Sequence, residues 1–235
     1  MHLWHFITRF GEAEILLPVA LLTAAALLMR RDKRTWALLW MGLLGLAVLL
    51  TTASKVAFIG WGLGFAIINF TGVSGHAMFA SAIYPLLVLT LLNGDTRPRQ
   101  HLALLLGCAL ALLVGVSRVA VGAHSWSEVF SGWLVGGSVT AVALLLVDTS
   151  NMLVRPIVPV ILLAWMSVTP VQMQASQTHS LVTRLALKLS GHEQPYTRMD
   201  MLRAARQHTS RMLEARGRQH GVETTPSDRK RGLTA

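Results

Sequence analysis

From Thr35 to Ser54 the chain runs twenty residues without a charged side chain. As an α-helix that stretch is about 30 Å long, the thickness of a bilayer's hydrocarbon core. No ordinary soluble helix needs such a run. Five further apolar segments accompany it: Glu14 to Arg30, Gly75 to Asn93-Gly94, His101 to Ser117, Val129 to Val147, and Pro156 to about Val171. Several sit at the short end of the ~17–25 residues a spanning helix requires, and slightly polar flanks or a thin bilayer make up the difference. The last is interrupted by Pro156, Pro159 and Pro170. Residues are 53% hydrophobic and only 14% charged, against roughly a quarter charged in soluble domains. This excludes a disordered chain, a disulfide-stapled secreted scaffold and an ordinary soluble enzyme. The reading is an all-α integral membrane protein of about six transmembrane helices, with short interfacial helices and a polar, basic C-terminal tail.

Charge is unevenly placed. Of 21 Lys and Arg residues, 11 lie after residue 180, and the net charge is +10. Beside membrane spans such an excess meets anionic head groups, so nucleic acid is not the expected partner. Cys108 lies inside an apolar run and reads as a small hydrophobe. Met1–Gly11 lacks the basic start and small-residue cleavage site of a signal peptide. Trp4, Phe6 and Phe10 beside His2, His5 and Arg9 suggest an interfacial segment over residues 1–13, followed by a six-helix domain over 14–172. The tail, 173–235, carries Leu181, Leu185 and Leu189 with Arg184 and Lys188 in an amphipathic pattern, and is expected to be disordered beyond Arg216.

The connections fix orientation. Arg30, Arg31, Lys33 and Arg34 crowd the first loop, Arg97 and Arg99 the third, and Arg155 the fifth. Basic residues favour the cytoplasmic side. Loops two and four then share the opposite face, the periplasm in a Gram-negative bacterium. With six crossings the tail joins them there; with five it is cytoplasmic.

Against this apolar background five residues need a reason: Lys55, His76, Arg118, His124 and Glu128. A bilayer penalises all of them, and all fall at or beside loops two and four. His124 and Glu128 are four apart, within reach on one helical face, and a carboxylate on one ring nitrogen makes the other a better nucleophile. Read alone, Ser125-Trp126-Ser127-Glu128 is a capping box opening the fifth span, a role compatible with the first only if the helix start is adjusted. Thr71-Gly72-Val73-Ser74-Gly75-His76 precedes the third span, with Ser74 a natural N-cap. A helix N-terminus with a small glycine is also an anion site, and His76 beside it is poised to exchange a proton. Lys55, at the end of the second span, reads alone as a snorkelling anchor, and Arg118 as another. Together, two fixed cations, a helix N-terminus and two histidines describe a pocket for a phosphate ester. The remaining histidines share no spacing.

These residues resemble the type 2 phosphatidic acid phosphatase family, membrane lipid phosphatases related to vanadium haloperoxidases. The family signature has three blocks: Lys-x6-Arg-Pro, Pro-Ser-Gly-His and Ser-Arg-x5-His-x3-Asp. The third reads here Ser117-Arg118, five residues, His124, three residues, Glu128, with Glu for Asp. The second reads Val73-Ser74-Gly75-His76, with Val for Pro. The first keeps Lys55, but Gly62 and Leu63 stand where Arg and Pro are expected. The resemblance spans about residues 50 to 150.

By that resemblance His124 is the nucleophile of a phospho-histidine intermediate. Glu128 orients it, its longer side chain folding back to do so. His76 is the acid for the leaving alcohol, and Lys55, Ser74, Gly75 and Arg118 cradle the phosphate. The resemblance implies no metal and no cofactor, and metal-ligand spacing such as His-Glu-x-x-His does not occur. Loss of the first-block arginine weakens affinity or rate unless a tail arginine substitutes. The implied activity is hydrolysis of a membrane lipid phosphate or isoprenyl diphosphate at the outer face of a bacterial inner membrane. Open alternatives are a lipid phosphotransferase and a catalytically weakened lipid-phosphate-binding protein. A transporter, a third reading, predicts an inverted repeat that the sequence does not contain.

Overall fold

The computed structural model describes residues 2–92, 96–146 and 177–222. The expected sixth span, Pro156 to Val171, lies outside them. The described chain is helical, and the one pairing of strand type is an isolated antiparallel bridge between Phe65 and Phe70. In order the helices are α1 (His2–Arg9), α2 (Ala13–Leu28), α3 (Arg34–Trp61), α4 (Gly75–Leu92), α5 (Arg97–Ala120), α6 (Trp126–Leu146), α7 (Gln177–Ser190) and α8 (Arg198–Val222). Among the described residues five segments are long and apolar enough to cross a membrane: His2–Leu28, Arg31–Trp61, Gly75–Leu92, Arg97–Ala120 and Trp126–Leu146. Many large apolar side chains, Leu38, Leu49, Leu105, Leu134 and Leu145 among them, face outward. In water that surface would be a liability; in lipid it is the solvated face. The protein is an all-α integral membrane protein.

The helices alternate in direction about α4, the most enclosed of them. The Trp40 indole of α3 donates to the Ala82 carbonyl of α4 at 3.1 Å, while Thr51 of α3 faces Gly75, so α3 and α4 are antiparallel. Gly132 and Gly136 of α6 face the backbone at Ser74 and Met78, so α6 runs parallel to α4. Loops two and four therefore meet at one end of the bundle, and the basic turn Arg30–Arg34 sits at the other. Trp36, Trp40, Leu44, Met78, Ile83 and Leu86 fill the core.

Two devices let polar backbone pack without water. Pro85 lacks the N–H that would bond to the Ser81 carbonyl, and the Thr140 hydroxyl donates to that carbonyl at 2.7 Å instead. Gly132 and Gly136, one helical turn apart, let α6 approach α4 to backbone contact: a Cβ on Gly132 would sit 2.6 Å from the Ser74 carbonyl oxygen.

Two boundaries differ from the sequence expectation. The second span does not end at Ser54; α3 continues to Trp61 and is closed by Gly62 in the left-handed region, φ 69°. Lys55 is therefore an interior helical residue, not a terminal anchor. The second difference is in the tail, where helix α8 persists past Arg216 to Val222. Helices α7 and α8 lie at the loop-two end of the bundle. Ala186 is fully buried against the end of α3, while Leu181, Leu185 and Leu189 of the same helix α7 face away from it.

The α4–α6 contact predicts that Gly136→Ala lowers thermal stability in detergent by about 1–3 kcal/mol, because a packed backbone must shift. Gly137→Ala, whose Cβ meets nothing within 4 Å, should leave the unfolding midpoint unchanged or raise it. Equal tolerance of both substitutions would contradict this packing.

Candidate active site

Helix α5 ends in a turn that folds back on itself. The Ala123 and His124 amides donate to the Arg118 carbonyl at 3.0 and 3.2 Å, and Gly122 takes φ 71°. That turn returns His124 to the level of Arg118. Helix α6 begins two residues later, capped as the sequence suggests: the Ser125 amide donates to Glu128 Oε2 at 3.1 Å, and the Glu128 amide donates to Ser125 Oγ at 3.4 Å. His124 Nδ1 meets the same Oε2 at 2.7 Å. The capping and orienting roles of Glu128 thus coexist with the helix starting at Trp126, because His124 stands just outside the cap. No adjustment of the helix start is needed.

Glu128 is fully buried, and its other oxygen is equally occupied. Oε1 accepts from the Thr71 amide at 2.8 Å and the Thr71 hydroxyl at 2.5 Å. Arg198 Nη2, from the start of α8, donates to both carboxylate oxygens at 2.7 and 2.8 Å. Every neighbour is a donor, so the carboxylate is ionised and His124 places its proton on Nδ1. Nε2 is left with the lone pair. Burial draws the His124 imidazole below its ordinary range, with the hydrogen bond to Glu128 pulling the other way. The neutral, nucleophilic form is therefore held through neutral pH.

Loop two is tied to the same point. The Ser74 amide donates to the Glu128 carbonyl at 3.0 Å, the Val73 amide to Ser54 Oγ at 3.0 Å, and Ser127 Oγ to the Ile68 carbonyl at 2.8 Å. Gly72, at φ 132°, lies against the Lys55 side chain. Ser74 accepts the first helical bond of α4 through its carbonyl, from Met78 at 3.0 Å. Its hydroxyl, however, is buried with no hydrogen-bond partner, so it does not serve as the side-chain cap expected of it. Gly75 opens α4, and His76 follows in its first turn.

Arg118 donates through Nη1 to the Thr8 hydroxyl at 2.8 Å, while its Nε is buried and unpartnered. Gly11 abuts the His76 ring, so the segment between α1 and α2 forms one wall of the cluster. Arg118, His124 and Lys55 are each close enough for their charges to act on His76, and Lys55 likewise feels Arg118 and Glu128. The seven residues singled out in the sequence, Lys55, Ser74, Gly75, His76, Arg118, His124 and Glu128, thus lie at one end of the bundle around loops two and four. Among the described residues no three His, Cys, Asp or Glu side chains gather into a metal-binding group.

Three participants escaped the sequence reading: Thr8, Thr71 and Arg198. Thr71 and Arg198 lie 57 and 70 residues from Glu128, so no helical spacing connects them. The available signals were Thr71 opening the Thr71–His76 run, and Arg198 beside a Thr197–Asp200 capping pair.

Residues 60–152 match the family model of the PAP2 superfamily. An uncharacterized 22.5 kDa protein in the cps region of Klebsiella pneumoniae is 32% identical over 213 residues, covering 86% of this chain and 99% of that protein. Phosphatidylglycerophosphatase B of Bacillus subtilis strain 168 is 29% identical over 137 residues, 55% of this chain and 66% of that one. Among solved structures, the transmembrane PAP2-type phosphatidylglycerolphosphate phosphatase from Bacillus subtilis aligns with a TM-score of 0.47 and 23% identity, over 60% of this chain and 73% of that chain. The family match covers loops two and four and helices α4, α5 and α6, and the Klebsiella relative is matched almost end to end; the chain belongs to the PAP2 superfamily.

Proposed function

We propose that the protein is a membrane phosphatase that hydrolyses a lipid phosphomonoester or diphosphate through a phospho-histidine on His124. The observation that carries this reading is the pair of buried, unpartnered donors, Ser74 Oγ and Arg118 Nε, in the cluster that holds both histidines. Burying a hydroxyl and a guanidinium N–H without partners is costly, and a phosphate oxyanion offers an acceptor to each. The first turn of α4 adds backbone N–H groups, and Lys55 adds charge.

In the first step His124 Nε2 attacks phosphorus. A P–N bond forms, the P–O bond to the leaving alcohol breaks, and His76 gives that oxygen a proton. In the second step His76 takes a proton from water, whose oxygen attacks phosphorus as the P–N bond breaks and His124 leaves. Arg118, Lys55, Ser74 and the Gly75 end of α4 hold the non-bridging oxygens, where charge neutralisation lowers the barrier. No step draws on a metal ion.

Two considerations support the expected side and substrate. The site end of the bundle is opposite the basic Arg30–Arg34 turn, so the positive-inside rule turns the site outward, to the periplasmic face of an inner membrane. The name of the Bacillus relative makes phosphatidylglycerol phosphate the first substrate to test, with phosphatidate and isoprenyl diphosphate beside it. On this reading helices α7 and α8 of the tail dock on the catalytic domain of residues 14–172, and the turn between α1 and α2 walls the site beside His76.

Purified full-length protein in detergent with EDTA should release inorganic phosphate from at least one of these lipids. His124→Ala should reduce release by at least about a thousandfold with its thermal midpoint intact. Substantial release by His124→Ala would rule out the proposed nucleophile.

The pH dependence has a definite sign. Attack requires neutral His124, and burial keeps that form present below the ordinary imidazole value. The acid limb of kcat/KM should therefore fall below about pH 6.5. Glu128→Gln removes the opposing pull of the carboxylate and should move that limb to still lower pH while reducing the rate. A limb above pH 6.5 in the native enzyme would contradict the assignment.

A further inference from the structure

We infer that Arg198, delivered by the C-terminal tail, is a positioning residue of this site: it locks Glu128 in place and thereby sets the orientation and basicity of His124. The inference rests on the phosphatase reading for its kinetic consequences, but its geometry stands apart from it.

Glu128 is fully enclosed, whereas the Arg198 side chain is 32% exposed. The guanidinium thus reaches in from the surface to a charge that has no access to water. It also contacts the Thr71 hydroxyl and the Asn69 carbonyl, each at 3.4 Å, so one side chain bridges loop two and the start of α6. Arg198 is a misfit in its own helix. It lies in the first turn of α8, where a cation opposes the helix dipole. Thr197 and Asp200 supply the local cap: the Thr197 amide donates to Asp200 Oδ2 at 3.0 Å and the Asp200 amide to Thr197 Oγ1 at 3.3 Å. Local helix physics therefore accounts for Thr197 and Asp200 but not for an arginine between them. The partner that accounts for it is Glu128.

The approach of the tail is built, not incidental. The Tyr196 amide donates to the Ile59 carbonyl at 2.9 Å, and the Tyr196 ring meets Phe58 edge-on at 5.6 Å between centroids. His192 Nδ1 lies 2.7 Å from the Gly60 carbonyl oxygen. Gly62 makes room for the same ring: a Cβ there would lie 3.1 Å from Tyr196, on a backbone already at φ 69°. These contacts register Arg198 on Glu128 to within a hydrogen bond.

The chemical effect follows from shared charge. Arg198 engages the same Oε2 that holds His124 Nδ1. It draws negative charge away from the imidazole, so His124 is oriented without being stabilised as the cation. Without Arg198 the carboxylate binds imidazolium more strongly and is freer to swing, and His124 becomes more basic and less well aimed.

Full-length Arg198→Gln, Arg198→Ala and Arg198→Lys, each verified as monodisperse with a native-like melting curve, test this. The first readout is the titration midpoint of His124 by NMR of histidine-labelled protein. It should rise in Arg198→Gln and Arg198→Ala and stay near native in Arg198→Lys. The second is kinetic: kcat should fall by up to about 100-fold in Arg198→Ala, with KM little changed, and recover partly on adding guanidinium. Should Arg198→Ala not fold, Arg198→Lys still decides, because it keeps the charge and loses the fork. A smaller fall in kcat with a native midpoint is expected, and fully native kcat overturns the inference. An unmoved midpoint with native kcat in Arg198→Gln also overturns it, as does a change confined to KM. If native protein releases no phosphate at all, the phosphatase reading fails while the titration still judges Arg198.

Discussion

One buried carboxylate organises the functional end of this protein. Glu128 has no exposure to solvent, yet it is ionised because everything around it donates: the Thr71 amide and hydroxyl, the Ser125 amide, the His124 ring and the Arg198 guanidinium. An isolated charge in that position would be untenable, and a charge with this many donors becomes a fixed point. Loop two, loop four and the tail share no sequence proximity, and each is held to it directly. The longer stem of glutamate is what allows this. One oxygen turns back to His124 and the helix cap while the other reaches across to loop two.

Placing such a hub at the edge of a membrane bundle imposes conditions on the helices beneath it. Its position depends on α6 lying close against α4, which the Gly132 and Gly136 contacts provide, and on a polar backbone fault at Pro85 being repaired by Thr140. Both devices sit in the apolar interior, the glycine contacts about one to two turns below the site and the Pro85–Thr140 repair about three. Their effect is to bring the N-termini of α4 and α6 side by side, so that Ser74 hydrogen-bonds the Glu128 carbonyl through its own amide. The Ser74 hydroxyl is thereby left facing inward without a partner.

Much of this was legible in the sequence because membrane physics and local spacing leave plain marks. Uncharged runs located the five spans within the described residues, and the Arg118–His124–Glu128 spacing survived intact because a helix end and a helix start enforce it. What could not be read was of two kinds. Lys55 looked like the end of a span because a charge usually is one, but α3 continues past it to Trp61. Ser74 looked like a cap because serine before a helix usually caps, but its carbonyl does that work and its hydroxyl does not. Arg198 and Thr8 were hidden for a different reason: they reach the site across 70 and 110 residues of chain, where no periodicity connects the partners.

On the proposed reading His124, oriented through Nδ1 by Glu128, forms a covalent bond to phosphorus through Nε2. Quenching the native protein in alkali during turnover of phosphatidylglycerol phosphate, then locating the modification by mass spectrometry, tests it most directly. The expected result is an alkali-stable, acid-labile phosphoramidate on His124. Phosphate on a different residue, or turnover with no trapped intermediate when product release is slowed, would contradict it.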